Sequence, residues 1–413
     1  MKTYSREQFV KDVTAGIIVA IIALPLSIAL ALASGVGPEA GIFTAIVAGF
    51  VISALGGSSV QIAGPTAAFA TIVAGIVAKN GLDGLVIATI LAGIFLILMG
   101  LCHFGTLIRF IPYTITTGFT AGIAVTIVIG QLKDFFGVTY PDGVKPIETM
   151  EKLHAFVENC GTVNLSAVIV GVVSLAILII SPYIFKKIPG SLLAVVAGIL
   201  MVKFLPLKAS TIGDLYSISN ALPGFHLPAL SLAAVEDAIP NAFTIAVLAA
   251  IESLLSCVVA DGMINGKHRS DMELVAQGAG NIASALFGGI PATGAIARTA
   301  ANIKNGGRTP IAGMVHSITL VLVLVVLMPY AGMIPMPTIA AILFVVAYNM
   351  CQWRPFAHLI QTAPKSDILV LLVTFFLTVV FDLVVAIEIG MLLTCLLFMK
   401  RMSDETHVDS WTY

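Results

Sequence analysis

The sequence predicts an all-α polytopic membrane protein, and its composition is the first observation behind this class. Of the 413 residues, 58% are hydrophobic and only 10% are charged, whereas a soluble domain carries about 25% charged residues. Such a chain has too few polar side chains to cover a water-soluble globule of this size. The net charge of −1 provides no basic field, so the expected partner is the lipid bilayer and not nucleic acid.

A series of apolar runs that match the thickness of a bilayer is the second observation. A hydrocarbon core of about 30 Å is crossed by about 20 helical residues. Measured against that length, fourteen runs are candidate transmembrane segments. They are residues 13–33, 38–55, 61–78, 82–102, 112–131, 164–183, 188–205, 240–260, 273–287, 292–303, 309–328, 333–350, 366–381 and 384–399.

The distribution of basic residues predicts the orientation of these segments. Residues 1–12 are polar and are followed by an apolar run without a small-residue cleavage site, so they form a retained cytoplasmic N-terminus and not a signal peptide. With that end inside, fourteen of the 21 basic residues lie inside, six lie outside and Arg298 lies within a segment. Short cytoplasmic loops collect Lys and Arg. Both termini are therefore predicted to be cytoplasmic, in a bacterial inner membrane, with loops 134–163 and 206–237 outside.

Two short segments, one in each half of the chain, are the third observation. Residues 65–79 and 292–304 span only about 21 Å and 18 Å as helices, so neither crosses the bilayer alone. Similar sequences precede them, SALGG at 53–57 and SALFGG at 284–289. In the predicted topology the two segments start from opposite faces of the membrane. The pattern predicts an inverted repeat.

This pairing indicates where a substrate binds. In transporters, two interrupted helices that meet near the midplane direct the positive ends of their dipoles at an anion. The alternative interpretation is that Pro65 and Pro291 merely kink two helices, which is common in membranes. The presence of corresponding segments in both halves favours a transporter's anion site.

Two charged residues lie inside the predicted segments. Glu252 is about 16 Å along a helix from Asn241, near the bilayer centre, where an ionised carboxylate must be protonated, be paired with a cation or face water. Ser256 follows at i+4 on the same helix face. Arg298 lies about 10 Å into the second short segment. Arg298 is expected either to form a structural ion pair with Glu252 or to attract an anion, and the second role is favoured.

The remaining chemistry-bearing residues predict no catalytic or metal site. Asp382 and Glu388 are expected to be structural, and the five cysteines are expected to be small buried hydrophobes. The seven histidines show no paired ligand spacing. The glycine-rich stretch at 56–64 lacks the Lys-Ser/Thr of a P-loop. We therefore expect no cofactor, no metal and no enzymatic activity.

The residues that carry these charges closely resemble the sulfate permease (SulP) family of anion transporters. The resemblance is strongest at 250–261 and 288–307 and extends to Leu24-Pro25, Gly64-Pro65-Thr66, 117–126 and 382–390. It implies fourteen segments arranged as a 7+7 inverted repeat, and it implies a homodimer. It also implies that a core domain (about 13–102 and 240–328) moves against a gate domain (about 107–205 and 333–400).

The resemblance also implies an anion site and a coupling site. The anion site would be lined by Leu26, Leu30, Ala63, Gly64, Pro65, Thr66, Ala67, Thr293, Gly294, Ala295, Ile296, Ala297 and Arg298. Glu252 matches the acidic residue that family members use for proton or sodium coupling, with Ser256 and Thr66 nearby.

This chain departs from the family pattern at three places. Leu26 stands where animal relatives that handle chloride and sulfate have Gln, which leaves one fewer polar contact for the anion. Ile296 stands where sodium-coupled bicarbonate transporters have Thr, so coupling to protons is favoured over sodium. Most members continue into a cytoplasmic STAS domain, whereas here 401–413 is expected to be a short stub with that domain absent or truncated.

The sequence thus predicts secondary active transport of a small inorganic anion, sulfate or bicarbonate, coupled to protons by an elevator-like movement. The alternatives are a dicarboxylate substrate, or an uncoupled anion exchanger or channel. A membrane-embedded sensor or scaffold is disfavoured, because Glu252 and Arg298 would be costly in the membrane without a task.

Overall fold

A computed structural model gives the fold of the chain. It describes residues 4–381, apart from 107–112, 142, 143, 145, 186, 187, 206, 220, 229 and 230, together with 389, 390, 392, 393, 396 and 397. Among these residues, eight helices are long and apolar enough to cross a membrane.

The described part of the chain is built almost entirely from helices. In chain order they are α1 (Arg6–Ala33), α2 (Pro38–Leu55), α3 (Ala67–Leu101), α4 (Tyr113–Phe136), α5 (Thr149–Glu158), α6 (Leu165–Ile184), α7 (Gly190–Phe204), α8 (Ile212–Leu215), α9 (Leu232–Ile264), α10 (Ser270–Leu286), α11 (Ile296–Lys304), α12 (Pro310–Ala331), α13 (Met336–Cys351), α14 (Trp353–Thr362) and α15 (Lys365–Val380). Two short strands, β1 (Ala63–Gly64) and β2 (Thr293–Gly294), precede α3 and α11.

The first short segment forms the opening part of α3. A single non-helical residue, Gly81 with φ 71° and ψ −172°, divides α3 into a first part (67–80) and a longer second part. That left-handed φ favours glycine because it has no Cβ. The break agrees with the predicted runs 61–78 and 82–102. The second short segment is α11, which has nine residues.

Several helices differ from the sequence predictions. Helices α5 and α8 lie in the predicted outer loops, and α14 lies between two predicted segments. They were missed because all three are short and none carries an apolar run long enough to cross a bilayer. α1 begins at Arg6, inside the polar N-terminal stretch, and α9 begins eight residues before the predicted 240. The predicted segment 384–399 lies largely outside the described residues.

The helices pack as two bundles. In the first bundle, α3 packs against α9 and α10, α12 packs against α1 and α2, and α11 packs against α9 and α1. In the second bundle, α4 packs against α13 and α15, and α6 packs against α7 and α13. Most of these contacts join helices from opposite halves of the sequence, and the exceptions are α9 with α11 and α6 with α7.

The two strands join the halves of the first bundle. They pair antiparallel, with Ala63 opposite Gly294 and Gly64 opposite Thr293. The amide of Ala295 adds a bond of 2.9 Å to the carbonyl of Ile62. The starts of α3 and α11 are therefore held next to each other.

The cysteines were predicted only in part. Cys257 is buried, as expected, but Cys102 and Cys160 are exposed. Cys102 directly follows the last helical residue of α3, and Cys160 lies in a short 3₁₀ turn after α5, so both occupy surface turns. Cys395 lies outside the described residues.

Candidate functional site

The candidate site begins with two helix N-termini that their own side chains do not cap. Thr66 and Ala295 are the residues that precede α3 and α11, and neither makes a side-chain hydrogen bond to the following turn. The first N–H groups of a helix have no intrahelical acceptor. Together with the helix dipole, such groups form a ready site for an anion.

Arg298 brings a full positive charge to these helix ends. Its side chain is 1% exposed, and its Nη2 donates to Ser27 Oγ at 3.2 Å and to the carbonyl of Pro65 at 3.3 Å. Nε and Nη1 are buried and have no hydrogen-bond partner within the described residues. The guanidinium is thus anchored at one nitrogen and retains unused donors.

The structural ion pair considered from the sequence is not formed. Within the described residues, Arg298 makes no ion pair with Glu252 or with any other carboxylate. Buried guanidinium donors normally find acceptors. The lack of acceptors for Nε and Nη1 among the described residues fits the alternative in which Arg298 attracts an anion.

Gly64 is the residue that lets Arg298 reach β1. A Cβ placed on Gly64 would collide with Nη1 of Arg298, and the next nearest atoms, Cζ of Arg298 and Cβ of Ala45, would lie at an ordinary 3.5 and 3.6 Å. Any side chain at position 64 would therefore displace the guanidinium. Glycine at this position allows the close approach of Arg298 to β1.

Glu252 is connected to the start of α3. Thr66 Oγ1 donates to Glu252 Oε2 at 3.0 Å, so the carboxyl of α9 contacts the residue that opens α3. Ser256, expected beside Glu252, is fully buried and donates instead to Thr299 Oγ1 at 3.4 Å. Of the two hydroxyls expected near Glu252, Thr66 makes the contact.

The predicted lining residues divide into a closed and an open side. Eight are buried: Leu30, Ala63, Gly64, Pro65, Ala67, Thr293, Gly294 and Arg298. Five are partly or well exposed: Leu26, Thr66, Ala295, Ile296 and Ala297. Ile296 is 40% exposed. The site is therefore backed by the two strands and opens past the first turn of α11 and the Leu26 side of α1.

Helix α11 also fixes the stretch that leads into β1. Thr299 Oγ1 accepts from the amide of Ile62 at 3.0 Å, and Asn302 Nδ2 donates to the carbonyl of Val60 at 2.9 Å. His316 of α12 is fully buried as well, and neither of its ring nitrogens has a partner among the described residues.

Glu273 of α10 is a buried carboxylate that the sequence analysis missed. It supports the site by holding the stretch of chain before β1. It is 0% exposed and accepts from the amides of Gly57 and Ser58 at 2.9 and 3.2 Å. It also accepts from Nε2 of Gln61 and Nε2 of Gln277, both at 2.9 Å. Four donors satisfy its two oxygens, so its role is to fix the chain that enters β1.

A signal for Glu273 was present in the sequence. Glu273, Gln277, Asn281 and Ser284 follow a spacing of four, four and three, which places them on one helix face. All four are 0% exposed. A polar stripe on a helix that also carries an apolar face indicates a buried network when the chain lies in a membrane.

The described residues contain no group of three or more His, Cys, Asp or Glu side chains that would hold a metal ion. The donors at the site are backbone amides, hydroxyls and one guanidinium. Backbone amides and a guanidinium donate hydrogen bonds, which an anion accepts.

Comparisons with known proteins agree on one kind of protein. The sulfate permease family matches residues 9–374. The Bacillus subtilis protein YvdB is 44% identical over 415 residues, covering 99% of this chain and 77% of that protein. The bicarbonate transporter BicA of Picosynechococcus is 33% identical over 404 residues, covering 95% of this chain and 70% of BicA. The solved transmembrane domain of a cyanobacterial bicarbonate transporter BicA matches with a TM-score of 0.83 and 30% identity, covering 93% of this chain and 98% of that domain.

Proposed function

Since the chain belongs to the sulfate permease family, we propose that it carries a small inorganic anion, sulfate or bicarbonate, across the membrane by secondary active transport. One observation carries this proposal. The buried guanidinium of Arg298 has two nitrogens without a hydrogen-bond partner among the described residues, and it lies beside the uncapped starts of α3 and α11.

These groups supply an attractive field, and no carboxylate among the described residues forms an ion pair with Arg298. Each helix N-terminus contributes about half a positive charge, and Arg298 contributes a full one. Oxyanions accept several hydrogen bonds from such donors. Because backbone amides select an anion by its charge and size, the same site also fits a dicarboxylate substrate. It is equally compatible with an uncoupled anion exchanger or channel, and these are the alternative functions.

We place proton coupling at Glu252. Its carboxyl contacts Thr66 at the opening of α3, so a charge on Glu252 acts directly on the anion site. An ionised Glu252 repels an arriving anion, and a protonated Glu252 does not. Anion and proton therefore bind best together, which is what symport requires.

Sodium is not expected to replace the proton. Sodium is a hard cation that needs several oxygen ligands, and Ile296 places a hydrocarbon side chain at the open edge of the site. Thr66 Oγ1 donates to Glu252 in this arrangement. Uptake should therefore proceed at the same rate when sodium is replaced by potassium or choline.

The two bundles supply a basis for movement. We assign the first bundle as the core domain that carries the site and the second as the gate domain, within fourteen segments related as an inverted 7+7 repeat. The core moves relative to the gate as an elevator and exposes the site alternately to each face. Both termini are cytoplasmic, and two copies form a dimer.

Uptake into proteoliposomes tests the proposal. Labelled sulfate and labelled bicarbonate are presented separately, with and without an imposed proton gradient, to wild type and to Glu252→Gln. The matched control is Glu236→Gln, an exposed carboxylate at the start of the same helix. Wild type and the control should be stimulated by an inward proton gradient, whereas Glu252→Gln should fold and lose the stimulation.

Two results would contradict separate parts of the proposal. Full gradient-driven uptake by Glu252→Gln would remove Glu252 from coupling and leave transport intact. Absence of uptake for both anions in wild type, with dicarboxylates carried instead, would replace the substrate class.

A further inference from the structure

A polar cavity lies away from the Arg298 site, along the first part of α3 towards its C-terminal end. Its volume is about 120 Å³. It is enclosed by α3, α4, α5, the start of α9 and the end of α15, so it lies between the two bundles. The residues used below to define this lysine cavity are Thr71, Gly75, Lys79, Thr126, Lys152 and Thr378.

The cavity follows one face of α3 outward from the Arg298 site. Thr71, Gly75 and Lys79 are each four residues apart, which stacks them along the helix. At 1.5 Å per residue, the stack runs from about 6 Å to about 18 Å beyond the start of α3 at Ala67. The cavity therefore extends along the first part of α3, from about one turn after its start to its end near Asn80.

Two lysines from opposite walls give the cavity a positive charge. Lys79 comes from α3 and Lys152 from α5, and among the described residues neither makes an ion pair. The carboxylate among the described lining residues is Glu148, so two cations face one anion. Burial lowers the pKa of Lys152, as expected for an ammonium withdrawn from water.

The remaining lining is suited to an oxyanion. Thr126 on α4 and Thr378 on α15 line the same space as Thr71 on α3, but their hydroxyls donate to carbonyls of their own helices, so Thr71 supplies the hydroxyl available to a ligand. Gly75 leaves that space open, because a Cβ placed there would meet no atom within 4 Å. The cavity thus combines two lysines, a hydroxyl donor and room for a small ligand.

We propose that the lysine cavity is a second anion site, at which a small oxyanion such as sulfate or bicarbonate binds between bulk solution and the Arg298 site. This inference rests on the proposed function, since it gives the transported anion an intermediate binding site on its path. The two lysines draw the anion in by their charge, and the hydroxyl of Thr71 replaces part of its water.

The test uses Gly75→Cys, which places a thiol inside the cavity without a clash. The thiol is labelled in zwitterionic phosphatidylcholine, so that no anionic lipid headgroup competes, with an anionic and a cationic methanethiosulfonate of similar size. Wild type, with its exposed Cys102 and Cys160, gives the background. The anionic reagent should react about tenfold faster relative to the cationic one than it does with a free thiol.

Sulfate and bicarbonate are then added as protecting ligands, with gluconate at equal ionic strength as the control for screening. Millimolar sulfate should slow labelling, and gluconate should not. Lys79→Gln with Lys152→Gln should remove both the preference for the anionic reagent and the protection. Lys203→Gln is the matched control, because Lys203 lies over the ring of Phe204 outside the cavity, and it should change neither.

The outcomes separate this inference from the proposed function. Protection that survives in the double lysine variant but disappears when Arg298→Ala is added would place sulfate at the Arg298 site alone and overturn the lysine cavity. An absence of protection in Gly75→Cys would do the same. Uptake by wild type is measured independently, so a protein that transports without protection loses only this inference. A protein with lysine-dependent protection but no uptake loses the proposed function.

Discussion

The two bundles hold different kinds of buried polar groups. In the first bundle the fully buried side chains include Asp12, Glu273, Arg298 and His316. In the second bundle Asp134 of α4 is half-buried, and the buried polar side chains among the described residues are uncharged. They are Thr114, Thr116, Thr117, Thr126, Gln131, Ser174, Ser181, Thr338, Thr374 and Thr378.

The difference shows how a site held rigidly in the first bundle lies beside a second bundle with few strong polar contacts. In the first bundle, charged groups with several partners fix irregular chain: Glu273 holds the stretch before β1, and Asp12 accepts from the amides of Arg308 and Thr309 at the start of α12. In the second bundle, the hydroxyls of Thr116, Thr126 and Thr378 bond to carbonyls of their own helices. Such bonds leave the helix surface free of strong contacts to its neighbours.

The largest effect is expected from removing the charge that organises the first bundle. Glu273→Ala would leave the amides of Gly57 and Ser58 and the amides of two glutamine side chains without acceptors, at a cost of ~3–5 kcal/mol of stability. Thermal unfolding in detergent measures the loss. Glu236→Ala, which removes an exposed carboxylate from α9, should stay within about 0.5 kcal/mol of wild type. Equal melting temperatures for the two variants would show that Glu273 organises nothing.

Arg298→Ala should affect binding more than folding. Loss of one charge-assisted contact weakens anion affinity by ~1.5–3 kcal/mol, or about tenfold or more. Stability should change little, because the guanidinium makes no ion pair with any described residue and its two bonds go to a hydroxyl and a carbonyl. The checks are the KM for uptake and the melting temperature, with Arg354→Ala as a control at an exposed arginine.

The opposite pattern for Arg298→Ala would identify a structural role. In that case stability would fall, anion affinity would remain, and Glu252→Gln would restore stability in the double mutant. That result would mean that the two charges pair in another conformation of the transporter.

Gly64→Ala sharpens the comparison because it acts through Arg298 alone. The new Cβ collides with Nη1 of Arg298 and with no other atom, so the single variant should lose both stability and anion affinity. In Gly64→Ala with Arg298→Ala the collision is gone, and the stability loss should be smaller than the sum of the two single losses by ~0.5–3 kcal/mol. Additive losses would show that β1 tolerates a side chain at position 64 only by moving as a whole.

How much of this was visible in the sequence depends on the kind of signal. The membrane class, the two short segments and the break near residue 80 follow from apolar run lengths and were predicted. The family resemblance, together with the charges within the segments, singled out Thr66, Glu252 and Arg298, and the structure brings the first two into contact. Gly64 was on the predicted lining, but its close approach to Arg298 depends on the pairing of β1 with β2, which no local pattern specifies.

The residues and helices that were missed lie in sequence patterns that ordinarily have another explanation. Glu273 lies in the first turn of α10, where an acidic residue is ordinarily a solvated partner of the helix dipole. Only its spacing with Gln277, Asn281 and Ser284 distinguishes it. Helix α14 has a strongly amphipathic sequence of ten residues, which is too short to be recognised as a segment that crosses a bilayer. Lys79 and Lys152 are far apart in sequence, so a cavity between them appears only after folding.

The smallest effect is expected in the second bundle, where the hydroxyls of Ser174 and Thr338 contact each other at 2.9 Å between α6 and α13. Thr338→Val keeps the side-chain shape and removes this bond, which is worth ~0.5–1.5 kcal/mol. Melting temperature should drop slightly, and the KM for anion uptake should stay at the wild-type value because no charge near the site changes. Ser174→Ala in the same protein should add little, since the bond is already lost. A loss as large as that of Glu273→Ala would mean that the second bundle is also held by a few critical polar groups, and the contrast between the bundles would fail.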